Sequence, residues 1–251
     1  MPLFNITDLN NFTRVYMWKI TETFDELFRS VTLKDISLAR LENMKSESHQ
    51  KGFLSVRRLL MEAGYTDFDL YYDEDGKPHL REVGSGKREA GSGKQGVGSD
   101  FDLPSSISHL PSSSPKHISI SHSHDFSVIT ISDTLIGIDL EILKEKTLKL
   151  APRYMDVSHL ENLFEEDQLI KATVVWGIKE SVFKIKNEVG ISFKDHIFES
   201  DFNLADKKCT VELRFNQRVE YFEILFDFIE NYVFVCAFNS IKFGIASGEK
   251  K

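Results

Sequence analysis

The chain is short of cysteine, of long apolar runs and of positive charge, and each shortage removes a class of function. Its two cysteines, Cys209 and Cys236, lie far apart and outside any Cys-x-x-Cys pattern, which argues against a zinc centre or a disulfide framework. No segment reaches the roughly 18 to 20 apolar residues that a bilayer span needs. The stretch Met1–Asp8 has neither a basic lead nor an uninterrupted apolar run, so it does not read as a secretory leader. A reducing cytoplasm is the expected setting. With 39 acidic against 31 basic residues the formal charge is −8, which disfavours general adhesion to nucleic acid or to an anionic membrane.

What is present is enough apolar matter to fold. The 251 residues are 41% hydrophobic and 12% aromatic, which supports one large core or two small ones. Residues 33–62 place Leu38, Leu41, Met44, Phe53, Leu54, Val56, Leu59 and Leu60 at helical spacing, predicting one or two helices. Asp67–Tyr72 reads as a short strand, and Asp73–Pro78 as turn chemistry. Residues 84–115 are dominated by Gly, Ser and Pro and read as a flexible insertion. Within them Gly91–Gly96 fits a bare G-x-G-x-x-G, but no strand feeds it and no amphipathic helix follows. A phosphate loop is excluded as well, because Gly93-Lys94 lacks the upstream glycine and the following Ser or Thr.

Beyond the insertion, His117–Ser121 and Phe126–Ile131 alternate with period two, Thr134–Leu140 forms a further apolar strand ending at Glu141, and residues 158–187 return to helical spacing. Cys209–Phe215, Tyr221–Ile229 and Tyr232–Phe238 read as strands separated by the turns Asn216-Gln217 and Glu230-Asn231. This order predicts an α+β fold of two halves, residues 1–132 and 133–245, the first interrupted by the insertion and the second carrying the candidate chemistry. No sequence repeat proves a duplication.

Asp139 and Glu141 are separated by one residue, so strand geometry directs both carboxylates to one face. Alone, such a pair is usually a solvated strand end; with a hard divalent cation between them it is a metal site, and magnesium takes one or two protein carboxylates together with waters and phosphates. From Thr173 to Asn187, Val174, Val175, Ile178, Val182 and Ile185 gather on one side of a helix, while Trp176, Glu180 and Lys184 recur on the other. An ordinary Glu-to-Lys pair on a wet face is worth only ~0.2–0.5 kcal/mol. A tryptophan one turn before it is less usual there and suits the floor of a pocket.

The two elements together, Gly137-Ile138-Asp139-Leu140-Glu141 and Trp176-Gly177-Ile178-Lys179-Glu180 with Lys184, resemble the paired signature of phosphopantetheinyl transferases of the two-halved, surfactin-synthetase-activating type. Gly76-Lys77-Pro78 and Ser121-His122-Ser123 match two further segments of that type, so the motifs run from about residue 76 to 184. The match is weak over residues 1–45. It departs from the pattern where residues 84–115 separate two segments that normally lie close; a flexible loop tolerates this, since each doubling of length costs only ~0.6 kcal/mol.

The resemblance implies transfer of the 4′-phosphopantetheine arm of coenzyme A to a serine of an acyl- or peptidyl-carrier protein, with release of adenosine 3′,5′-bisphosphate. It implies magnesium held by Asp139, Glu141 and Glu180, with Glu180 also the general base and Lys184 stabilising charge on the pyrophosphate. It also implies coenzyme A contacts from Lys51, Lys77, Pro78, Ser121, His122 and Lys184; without it, Ser121–Asp125 reads as a polar hairpin turn. Lys179 is secondary, because its helical angle differs from that of Lys184. A monomer is expected, with no nucleic-acid or membrane partner. Two alternatives stay open: a non-catalytic coenzyme A- or carrier-binding module, and a different magnesium-dependent phosphotransfer enzyme acting on a nucleotide.

Overall fold

A computed structural model describes residues 3–81 and 116–240. The expected insertion at 84–115 lies wholly outside the described residues, as do residues 241–245. The elements run β1 (Leu3–Asn10), β2 (Thr13–Lys19), α1 (Phe24–Arg29), α2 (Asp35–Glu42), α3 (Glu47–Glu62), β3 (Leu70–Tyr72) and β4 (Pro78–Leu80). They continue with β5 (His117–Ser123), β6 (Phe126–Ser132), β7 (Ile136–Ile142), α4 (Glu145–Leu150), α5 (Glu165–Lys186), α6 (Phe193–His196), β8 (Ile197–Glu199), β9 (Lys208–Phe215), β10 (Arg218–Ile229) and β11 (Tyr232–Asn239). The fold is mixed α+β with antiparallel sheets. No helix among the described residues is long and apolar enough to cross a membrane.

One sheet has the order β1-β2-β6-β5 and another β7-β11-β10-β9-β8, with β3 and β4 forming a separate hairpin. The same arrangement occurs in each large sheet. The strand ahead of a long helix (β2, β7) lies beside the last strand (β6, β11), which lies beside the one before it (β5, β10). Helix α3 packs on β6 and β2, and α5 packs on β7 and β11.

Two apolar clusters fill the helix-covered faces, one around Trp18, Leu54, Leu59 and Ile129, the other around Val175, Ile178, Val182 and Val235. A third joins Val15, Met17 and Val128 to Ile138, Leu140, Phe234 and Cys236 between the two sheets. Strand β2 therefore buries both faces, Tyr16 and Trp18 to one side and Val15 and Met17 to the other. A strand buried on both sides loses period-two alternation, which is why β2 has no clear signature; β1 is exposed along most of its length and has no buried face to mark it.

Two expected boundaries shift, and the expectation of one or two helices over residues 33–62 resolves to two. The strand expected from Asp67 begins at Leu70, because the buried Asp67 carboxylate turns inward to accept hydrogen bonds from Arg57 Nε, Ser37 Oγ and the Lys34 backbone N–H. The helix expected from residue 158 starts at Glu165 after a separate 3-10 turn at Val157–Leu160. Residues 33–62 resolve into two helices, broken between Asn43 and Ser46. The Asn216-Gln217 turn holds positive φ at both residues, 51° and 62°, the geometry that matches strand twist in a two-residue hairpin.

The inner edges of the large sheets meet along β5 and β7. Ser119 Oγ accepts the Ile138 backbone N–H at 3.0 Å and Ser121 Oγ accepts that of Leu140 at 3.1 Å. Side-chain hydroxyls thus stand where ladder carbonyls would be expected.

Candidate active site

Helix α5 lies unusually close to β7, and two glycines permit it. A Cβ on Gly137 would stand 1.9 Å from the Ser181 carbonyl oxygen, and one on Gly177 would stand 2.6 Å from Val235 Cγ2 and 3.7 Å from Asp139 Oδ2. The approaches of 1.9 and 2.6 Å are shorter than a Cβ tolerates, so only glycine lets the helix settle there. The close approach carries the polar side of α5 over the carboxylates of β7.

Asp139, at 4% exposure, accepts hydrogen bonds at Oδ1 from Lys184 Nζ at 2.8 Å and from Ser121 Oγ at 3.0 Å. Lys184 also donates to the Ile138 carbonyl at 2.9 Å. The second oxygen, Asp139 Oδ2, is buried with no hydrogen-bond partner among the described residues. Glu141 accepts from Trp176 Nε1 at 3.3 Å. Trp176 in turn packs edge-on against Tyr154 and Phe193, with ring centroids 5.1 and 5.6 Å apart. The indole is a wall of the site and the helix is not simply wet on that side.

Glu141, Asp139 and Glu180 sense one another electrostatically. Desolvation, then the Asp139 charge and then the Glu180 charge push the Glu141 carboxyl up to about 7, against the opposing Trp176 hydrogen bond and Lys184 charge. Glu180 is raised too, first by burial and then by Asp139, with Lys184 opposing. Three carboxylates share one partly dry region with a single ammonium. Among the described residues, however, no three His, Cys, Asp or Glu side chains stand ready-arranged around one metal position. Lys184 takes one Asp139 oxygen and Trp176 takes one Glu141 oxygen instead.

Ser121 and His122 are successive residues of β5 and point apart. Ser121 faces Asp139, while His122 lines a cavity of about 340 Å³ with Arg40, His49, Phe53, Arg57 and Tyr72 among its walls. Arg40 lies over the Tyr72 ring at 5.2 Å and Arg57 over the Phe53 ring at 3.4 Å. Although its ring retains solvent access, His122 is held below the usual imidazole range, first by desolvation and then by His49, Lys184, Arg40 and Arg57. Cations and aromatic faces together suit a phosphorylated, planar ligand. Arg40, His49 and Arg57 carry no motif; they sit between apolar positions of helices, where charge reads as a solvent face.

The other expected contacts lie elsewhere. Lys77 Nζ donates to the Ile185 carbonyl at 2.6 Å, and Asn187 Nδ2 donates to the Asp75 carbonyl at 3.1 Å, so the Gly-Lys-Pro turn docks on the carboxyl end of α5. Pro78 opens β4, opposite Tyr72. Lys51 borders a second cavity of about 270 Å³ with Ser48, His124 and Asp125. Lys179 points away from the carboxylates and is buried at 1% exposure. No protein-family model and no curated protein sequence matches the chain.

Proposed function

We propose that the chain is a magnesium-dependent phosphopantetheinyl transferase, moving the 4′-phosphopantetheine of coenzyme A onto a carrier-protein serine. One observation carries the reading. Asp139, Glu141, Glu180 and Lys184 gather between β7 and α5, with Asp139 Oδ2 buried and unpartnered among the described residues. The cationic, aromatic cavity reached through His122 gives the reading its second support.

The donor set suits magnesium. Hard carboxylate oxygens are its protein ligands, and it completes its shell with water and substrate phosphates rather than with an all-protein cage. Asp139, Glu141 and Glu180 would hold it, and it would supply neutralisation of the pyrophosphate charge. The new bond joins the serine oxygen to the phosphorus nearer the pantetheine; the bond broken is the phosphoanhydride, and adenosine 3′,5′-bisphosphate departs. Glu180, whose proton affinity is raised by burial, would accept the serine proton. Lys184 offers its ammonium to charge developing on the phosphates. Arg40 and His122 offer donors to the ribose phosphate.

A purified acyl- or peptidyl-carrier protein incubated with this protein, coenzyme A and magnesium gains the phosphopantetheine mass, and adenosine 3′,5′-bisphosphate accumulates. Several carriers left unmodified by folded protein that binds coenzyme A would sink the reading. That result would favour the alternative of a binding module without turnover, which the Lys184 ammonium already neutralising Asp139 supports.

A further inference from the structure

Lys171 and Lys179 lie two turns apart on the same side of α5, and both are buried, at 5% and 1% exposure. Their acceptors are neighbours as well. Lys179 Nζ donates to the Ile197 carbonyl and to Glu199 Oε2, both on β8, and Lys171 Nζ donates to Asp201 Oδ1 at 2.7 Å. Glu199 is itself 8% exposed, and its other oxygen faces His159 Nδ1 at 3.5 Å. The short segment from Ile197 to Asp201 thus grips the helix at two levels.

We infer that Lys171 and Lys179 are positioning residues, a two-point clamp that fixes the rotation and axial position of α5 and so places Glu180 and Lys184 against Asp139. The inference rests on the transfer reading. Stability alone does not call for these charges, because replacing a buried ion pair by apolar groups of similar volume is often neutral or stabilising. The apolar side of α5, Val174, Val175, Ile178, Val182 and Ile185, packs without strong directional preference. The ammonium-to-carboxylate contacts are directional. Lys179 immediately precedes Glu180, so a rotation that frees Lys179 from Glu199 swings Glu180 through the same angle.

The test compares K179M/E199L, E199Q and K171M with the wild type for transfer kcat, KM for coenzyme A and Tm. The apolar double variant keeps Tm within a few degrees and KM unchanged, yet kcat falls about ten- to a hundredfold, as a misplacement near 1 Å does. E199Q, which retains an oxygen for Lys179, keeps most of the rate. K171M, whose partner Asp201 is exposed, loses about threefold in kcat, or ~0.7 kcal/mol of barrier. A folded double variant with wild-type kcat overturns the inference; should it fail to fold, an unchanged kcat in K171M does so. A wild type without transfer activity overturns the transfer reading itself, and this inference with it.

Discussion

Lys184 Nζ and Asp139 Oδ1 are 2.8 Å apart, and among the described residues neither forms another ion pair. It links the helix of one motif to the strand of the other through a carboxylate at 5% and an ammonium at 30% side-chain exposure. An anion entering the site competes with Asp139 for that ammonium. The pair is therefore both an anchor and a charge available for a phosphate.

Removing the ammonium should separate these roles. Lys184→Met is expected to lower transfer about 10²–10³-fold, the scale of one lost oxyanion donor. It leaves Asp139 buried without a counter-charge, so Tm falls as well. Steady-state kinetics and a thermal melt read both; unimpaired kcat would exclude Lys184 from the reaction.

Glu180→Gln should behave oppositely in stability. It removes one of three mutually repelling carboxylates, so Tm is expected to stay level or rise while transfer is abolished. Near-normal turnover in the folded variant removes Glu180 from proton transfer.

Glu141 predicts a pH-dependent stability of stated sign. Its folded-state pKa of about 7 exceeds the ordinary 4.5, so the folded state holds the proton more tightly. The stabilisation is full below the unfolded value and is lost as pH rises through the folded one. On the order of 3–4 kcal/mol disappears between those limits, at ~1.4 kcal/mol per unit. Magnesium added above pH 7 should restore part of it by offsetting the repulsion, and Glu141→Gln should flatten both responses. Melts across pH 4.5–8, with and without magnesium, check this; a wild type and variant with parallel profiles would refute it.

Gly137→Ala forces a methyl to within 1.9 Å of the Ser181 carbonyl oxygen. Overpacking of this kind costs about 1–3 kcal/mol when the surroundings yield. A urea titration should show that loss, with transfer reduced more than coenzyme A binding because α5 is displaced. A variant as stable as the wild type would mean that helix and strand stand farther apart than described.

Strands β6, β7 and β11, buried on both faces, were legible as short apolar, β-branched runs between turn residues. Strands β9 and β10 were legible because half-buried strands alternate and the turns flanking β10 carry Asn, Gln and Glu at positive φ. The apolar side of α5 was legible for the matching reason at helical period. Other features had no one-dimensional trace. Strand β2 is apolar on both faces, and Asp67 looks like a strand residue until Arg57 is known to lie beside it. The glycines of the two motifs make sense only when α5 is laid on β7, and the cavity walls Arg40, His49 and Arg57 only when α2 and α3 are packed together. Lys179 shows the limit best. Its letter suggests solvent, whereas a partner twenty residues later draws it into the interior.

The hydroxyls of Ser119 and Ser121 have one more effect. By occupying the Ile138 and Leu140 amides they leave no free template along that margin of β7 on which a foreign strand can grow. Within the two large sheets, strand-to-strand growth is then left to the outlying strands β1 and β8, and the latter is only three residues long.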